Sequence, residues 1–344
     1  MRSRLLGILL MVLVLYGILL ASDFATAGSI ENHQNLARRT GFFGILTIGA
    51  GLLIIAGGID LSIGSVVGLT AVSLALLLEK QVAPVVAIGV VLAGAVLIGL
   101  FHGLLVTKLG LQPFIVTLCG LFIYRGLAQL APVLDVRALG ARLWSYASFG
   151  RWASEAPILL GSSRDVGIGG RPDLAPLRFL AAGDVWGVPM MFLILLGVAA
   201  LAAVLLHLSV HGRYLYAVGY NEQAARYAGI TTHRYKILAY VLCSFLAGLG
   251  GLLLLLDLET AQPSAAGTWY ELYAITGAVL GGCSLRGGQG TIAGIVLGTA
   301  VLPLLRNLCI FAGIPSDLEY TVIGVALLIG TIADEMLKRR SAAG

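Results

Sequence analysis

Gly57-Gly58-Ile59-Asp60-Leu61-Ser62-Ile63-Gly64-Ser65 interrupts an apolar run from Gly41 to Leu78 in which Asp60 is the sole charged residue. As a single helix that run would measure roughly 57 Å at 1.5 Å per residue, while the hydrocarbon core of a bilayer is about 30 Å thick. The run therefore reads as two membrane passes joined by a Gly-rich break that carries a carboxylate. Outward from this break the same texture continues: residues 81–107, 185–212 and 237–256 hold no Asp, Glu, Lys or Arg. Each stretch is long enough to cross a bilayer as a helix. The runs are continuous rather than alternating, which selects helices over a β-barrel.

Composition agrees. The chain is 58% hydrophobic and 11% charged, with a mean hydropathy of +0.96, and a soluble domain carries roughly twice that charged share. The fold class is all-α: a polytopic membrane protein forming a single transmembrane domain over residues 1–344. In a membrane protein the net charge of +5 reports orientation rather than nucleic-acid binding. Cys119, Cys243, Cys283 and Cys309 lie apart in apolar runs with no metal-ligand spacing, so they read as small packing residues and no metal is expected.

The pattern predicts about ten transmembrane helices, near 5–21, 41–57, 62–78, 84–107, 113–131, 188–208, 236–256, 269–283, 291–312 and 318–336. An even count puts both termini on one side. Arg2 and Arg4 before the first pass, and Lys338, Arg339 and Arg340 after the last, make that side the cytoplasm. The 209–235 loop, with Arg213, Arg226 and Arg234, falls inside by the same parity, and the long 132–187 segment falls outside. That segment is itself arginine-rich (Arg137, Arg142, Arg151, Arg164, Arg171, Arg178), but long loops translocate with little regard to charge. With Trp144, Trp152 and Trp186 it reads as short interfacial helices or a docking surface, or equally well as an elaborated connector. Ala25-Thr26-Ala27 after the first apolar stretch has the small-x-small form of a signal-peptide site. The stretch is read as a retained helix, because its removal would place the chain ends on opposite sides.

The residues that carry chemistry are few. No Walker, Rossmann, HExxH or GxSxG pattern occurs, so the chain has no ATPase site of its own and no enzyme signature. Asp60 has two compatible readings. It lines a water-filled pathway, since a carboxylate facing lipid costs about 2.5–3.5 kcal/mol, or it caps the helix that starts near Leu61 or Ser62, with Ser62 as a second cap. In the 209–235 loop, Asn221 reads as the N-cap of a two-turn helix over Gln223–Ala228 that Gly229 stops. Such a helix is marginal alone and must rest on the bilayer surface or on a partner protein. Gly281, Gly282, Gly287 and Gly288 form a second Gly-rich break that echoes Gly57 and Gly58. Paired breaks of this kind point to transport sites, although four matches in eight positions arise readily in a chain with 46 glycines. The pass before this second break is short enough to be a re-entrant hairpin. Tyr124, Arg125 and Gln129, Glu271 and Tyr273, and Arg306 and Asn307 are the other polar residues within passes. Tyr124 and Gln129 suit a sugar path, and helix-packing contacts explain any one of them equally well. Arg125 and Arg306 must meet water, a carboxylate or carbonyls. His102 and His207 read as incidental.

With these segments in place, Gly57–Ser65 resembles the signature of the simple-sugar permeases of ABC importers, the ribose, xylose and galactofuranose type. Gln112-Pro113-Phe114-Ile115-Val116-Thr117-Leu118 with Tyr124-Arg125-Gly126-Leu127-Ala128 is similar to the family's fifth-pass pattern. Gly212–Gly219 leading into Asn221–Ile230 resembles its main cytoplasmic loop, and Gly281–Leu285 with Gly287–Gly290 its late Gly-rich loop. The resemblance runs from about residue 40 to 335. It implies an inner-membrane permease of a bacterial importer that takes a monosaccharide from a periplasmic binding protein and pairs with a second permease copy or a sister permease. It also implies a cytoplasmic ABC ATPase that binds the ATP, so this chain needs no cofactor. ATPase coupling falls to Asn221, Glu222, Gln223, Ala224, Ala225, Arg226 and Gly229. The substrate-pathway candidates are Asp60, Ser62, Tyr124, Gln129, Glu271 and Asn307. Two departures stand out: the 132–187 segment is longer and more basic than is usual, and Tyr273 stands where an acid is common. The rival readings are an ion-coupled secondary transporter with Asp60 as its proton or sodium site, and an ABC permease for a nucleoside or a branched-chain amino acid. The Ile-Asp-Leu-Ser wording favours a sugar over the last two.

Overall fold

The computed structural model describes residues 2–133, 164–169 and 171–315, with scattered positions between 318 and 328. In chain order its elements are α1 (Arg2–Ser22), α2 (Phe24–Ala27), α3 (Ile30–Ile55), α4 (Ile63–Glu79), α5 (Pro84–Lys108) and α6 (Pro113–Leu130). There follow β1 (Val166–Gly167), α7 (Ala175–Ala182), β2 (Asp184–Val185), β3 (Val188–Pro189) and α8 (Met190–Ala203), which runs on into one π turn, Val204–Leu208. The last are α9 (Val210–Tyr220), α10 (Glu222–Tyr227), α11 (Thr232–Leu258), β4 (Thr260–Ala261), α12 (Tyr270–Leu280) and α13 (Ile292–Phe311).

Among the described residues, seven helices are long and apolar enough to cross a membrane. They are Leu5–Ser22, Ile30–Ile55, Pro84–Lys108, Pro113–Val133, Met190–Leu208, Thr232–Leu258 and Ile292–Phe311. The chain is therefore a multi-pass helical membrane protein. α4, at 17 residues, rises about 25 Å and falls just short of a full crossing. The expected pass 269–283 is corrected: α12 has 11 residues, about 16 Å, so it spans only half a bilayer. The half before it is replaced by non-helical chain at 262–269, where Gly267 (φ +73°) and Trp269 (φ +66°) take left-handed conformations. The tenth expected pass, 318–336, falls mostly outside the described residues, as do 134–163 with Trp144, Trp152, Arg137, Arg142 and Arg151, and Lys338–Arg340.

The expected pass 41–57 also begins earlier than predicted. Ser29 caps α3 by accepting from the Asn32 N–H (3.2 Å), and the more polar first third of the helix packs through Leu36 on an apolar cluster of Leu19, Ala27 and Leu304. Arg38 lies on that first third and donates to the Ala182 carbonyl (3.1 Å). The rest of α3 is almost wholly buried, and with α11 it forms the centre of the bundle. α5 approaches α11 closely because its contact face carries Gly99 and Gly103, where a Cβ would stand 2.6 Å from the Tyr240 carbonyl oxygen and 2.8 Å from Ile237 Cα. Small residues let helix backbones meet in this way. At one end of the bundle the described part of the 132–187 segment forms a small cap: β1 pairs antiparallel with β4, and β2 with β3. The cap is pinned by Arg164 to Glu79 (2.8 Å) and by Arg178 to Glu259 (3.3 Å).

Candidate functional site

The chain between α3 and α4 folds back into the bundle, and Asp60 is buried there. Its Oδ1 accepts from the Ser62 N–H (2.7 Å) and from the Ser62 hydroxyl (2.6 Å), a turn closed by the side chain itself. This corrects the expectation that Asp60 caps α4. The helix begins at Ile63, and Ser62 stands at the cap position with helical backbone angles (φ −90°, ψ −2°) and without a capping bond, where a capping residue is ordinarily extended. The carboxylate at the start of α4 is instead that of Glu271, which faces the Gly64 N–H, where a helix start favours negative charge.

His102 corrects a second expectation. Far from incidental, it is buried on α5, with its Nδ1 3.8 Å from Asp60 Oδ2 and its Nε2 2.9 Å from the Tyr124 hydroxyl on α6. Gly120 admits this contact, since a Cβ there would lie 2.7 Å from His102 Nε2. On the other flank the Tyr240 hydroxyl donates to the Ile59 carbonyl (3.4 Å). Asp60, Ser62, His102, Tyr124 and Tyr240 therefore form one polar cluster drawn from the α3–α4 break and three helices.

A second cluster adjoins it through Gly64. The non-helical chain at 262–269 runs backbone to backbone along α4: a Cβ on Gly64 would stand 2.2 Å from the Gly267 carbonyl oxygen, and one on Gly68 2.5 Å from that of Ala266. Arg125, on α6, holds this chain by donating to the Ala266 carbonyl (2.7 Å), the Thr268 hydroxyl (3.2 Å) and the Gly267 carbonyl (3.3 Å). The expectation that an intramembrane arginine finds carbonyls is met here. Non-helical backbone at membrane depth is tolerated only where protein or a water-filled cavity satisfies it, and Arg125 supplies that satisfaction.

Of the pathway candidates, the structure brings Asp60, Ser62 and Tyr124 together and places Glu271 beside them across Gly64. It separates the other two. Gln129 is exposed on α6, and Asn307 bonds Asn32 (2.7 Å) where α13 meets the start of α3, a helix-packing contact.

The 209–235 segment holds the short helix its sequence predicts, but it is otherwise more helical than the expected loop: α9 fills Val210–Tyr220 and α11 already begins at Thr232. Asn221 caps α10 through a bond from the Ala224 N–H (2.9 Å), and Gly229 stops it with φ +83°. The helix starts at Glu222, one residue earlier than expected. Ala225 is buried beneath it, while Gln223, Ala224, Arg226 and Tyr227 face outward. Glu222 ties α10 to Lys236 at the start of α11. Burial works to raise the Glu222 carboxyl, but the hydrogen bond and charge of Lys236, helped by Arg226, hold it below the usual carboxylate range.

The polar clusters sit where two helices break inside the bundle, the kind of place where transport proteins build solute and ion sites. Among the described residues no group of His, Cys, Asp or Glu is placed to hold a metal. A family described as "Branched-chain amino acid transport system / permease component" matches residues 32–331. The chain is 34% identical over 328 residues to the ribose import permease protein RbsC of Escherichia coli (strain K12), covering 95% of this chain and 92% of that protein. It is 32% identical over 304 residues to RbsC of Bacillus subtilis (strain 168), at 88% and 84% coverage. To the xylose transport system permease protein XylH of Escherichia coli (strain K12) it is 31% identical over 380 residues, at 99% and 95% coverage. No solved structure matches it. A match running from Asn32 to the far side of α13, through both helix breaks and the α9–α10 loop, leaves one reading: the chain belongs to this family of transport-system permease components.

Proposed function

We propose that this chain is the transmembrane subunit of a bacterial inner-membrane ABC importer that carries a monosaccharide. The observation that carries this reading is the likeness to ribose and xylose permeases over nearly the whole chain, which spans both helix breaks and α10. An external binding protein delivers the sugar to a cavity formed with a second permease, either a copy or a sister. Asp60, Ser62, Tyr124 and Glu271 lie on its path. A separate cytoplasmic ATPase binds the ATP and drives the cycle through the exposed face of α10, where Gln223 and Arg226 meet it. In the test, purified permease is reconstituted with a candidate ABC ATPase and a candidate sugar-binding protein from the same organism, and uptake of ribose and xylose is followed. Uptake that requires ATP supports the reading. Uptake that proceeds without the ATPase and collapses with an ion gradient, or with Asp60→Asn, would establish the secondary-transporter alternative.

The proposed topology has ten passes with both termini cytoplasmic, the 132–187 segment outside and the 209–235 loop inside. Its support is that the α3–α4 break, α9 and the second Gly-rich break meet at one end of the bundle, opposite the Glu79–Arg164 and Glu259–Arg178 pairs. Reporters fused after Ser162 and after Glu222 are expected on opposite faces of the membrane. Finding both on one face would overturn this arrangement.

A further inference from the structure

The two Gly-rich breaks, separated by more than 200 residues in the chain, meet on a third element. The last turn of α9 lies backbone against backbone on both. A Cβ on Gly219 would stand 1.8 Å from the Ile55 carbonyl oxygen and 2.7 Å from the Gly288 nitrogen. A Cβ on Gly287 would stand 2.5 Å from the Gly219 carbonyl oxygen. The breaks are also joined directly, because the Gly288 N–H donates to the Ile55 carbonyl at 2.9 Å. A second tie comes from the Tyr216 hydroxyl, one turn earlier on α9, which donates to the Gly290 carbonyl at 2.7 Å.

What leads away from this junction is stiff in every direction. Asn221, two residues after Gly219, closes α9 through its own N–H to the Ala217 carbonyl (3.1 Å) and opens α10 through its side chain. No slack loop lies between the junction and α10. On one break, Gly57 leads within three residues to Asp60. On the other, Gly290 leads to Thr291, whose hydroxyl accepts from the Gly294 N–H (3.0 Å) and so starts α13. A pocket of about 570 Å³ lined by Tyr216, Gly288, Gly290 and Thr291 opens on one side of the junction, so the displacement passes through the backbone contacts at Gly219, where close-packed elements shift together.

We propose that Gly219 is a positioning residue for energy coupling: through it, a displacement of α10 is delivered at once to the Asp60 turn and to the start of α13. This rests on the proposed reading of α10 as the element an ATPase drives. The absence of a side chain at Gly219 is the device, since it lets three backbones bear on one another without a compressible layer.

The test uses the full transporter in proteoliposomes and reads sugar moved per ATP hydrolysed, beside the amount of ATPase that copurifies with the permease. Gly219→Ala is expected to lower that ratio about tenfold or more while the ATPase still copurifies, because the outward face of α10 is untouched. Tyr216→Phe keeps the ring volume and loses one hydrogen bond, so it is expected to fold and to lower the ratio about threefold. Gly197→Ala, on α8 with nothing within 4 Å of the added methyl, is expected to match the wild type. If Gly219→Ala fails to accumulate, Tyr216→Phe decides. Wild-type ratios in the accumulating variants overturn this proposal alone. A wild type that transports without any ATPase overturns it together with the reading on which it rests.

Discussion

Asp60→Ala is expected to lose about 3–5 kcal/mol of stability, the loss seen when one member of a buried charged group is removed, and to leave little folded protein in the membrane. The carboxylate is the acceptor for both the N–H and the hydroxyl of Ser62 and the group that His102 Nδ1 faces. Its deletion strands all three in a region closed to water, where each unmet donor costs about 1–3 kcal/mol. Asp60→Asn is the informative contrast. Its amide oxygen still accepts from Ser62, so the turn at residues 60–62 survives and the protein accumulates. What Asp60→Asn changes is the side facing His102, so it is expected to slow transport without altering which sugar is preferred. Membrane yield and the melting temperature in detergent report the first effect, and competition between sugars reports the second. An Asp60→Ala protein that melts with the wild type, or an Asp60→Asn protein with switched preference, would refute this account of the turn.

Arg125→Ala is expected to be comparably damaging by a different route. It removes the donor for three acceptors on residues 266–268, at about 1–3 kcal/mol for each one left buried and unmet. The Gly267 carbonyl keeps a bond from the Tyr270 N–H (3.4 Å), so the loss falls on the Ala266 carbonyl and the Thr268 hydroxyl. Arg125→Lys is expected to rescue little: an ammonium keeps the charge but lacks the planar fork that spans several acceptors. A cysteine at Ala265 provides a direct readout. Its labelling by a water-soluble maleimide should rise in the Arg125→Ala background as the segment loosens. Unchanged labelling together with an unchanged melting temperature would mean that the segment is held by its packing on Gly64 and Gly68 instead.

What could be read from the sequence were features that act locally. The break at 57–62 follows from length against bilayer thickness, and the Asn221 cap and the Gly229 stop follow from neighbouring residues. The misread features depend on partners far away in the chain. His102 is one imidazole on an otherwise apolar helix, and nothing near it signals that α4 and α6 will bring Asp60 and Tyr124 to its two nitrogens. A signal did exist in Gly99 and Gly103, which flank it at the spacing of a close helix contact and mark the face of α5 that turns inward. The early start of α3 was hidden by Arg38 and Arg39, which resemble a loop until the Ala182 carbonyl accepts from Arg38. Glu271 was placed on the right segment, but its position at the start of α4 depends on the Gly64–Gly267 approach, which joins two glycines 203 positions apart. Gln129 and Asn307 were chosen for polarity alone, and polarity does not say which face of a helix is turned inward.

The shortness of α12 also bears on how the protein is made. Insertion machinery admits segments largely on their own hydrophobicity and length, and about 20 apolar residues are needed for stable partitioning. An 11-residue helix with Glu271 in its first turn cannot hold itself in lipid as it emerges. It must wait beside α3 until α13 has been synthesised and can pack over it. The packing around α12 is therefore completed late, by a helix that leaves the ribosome after most of the chain has already been delivered to the membrane.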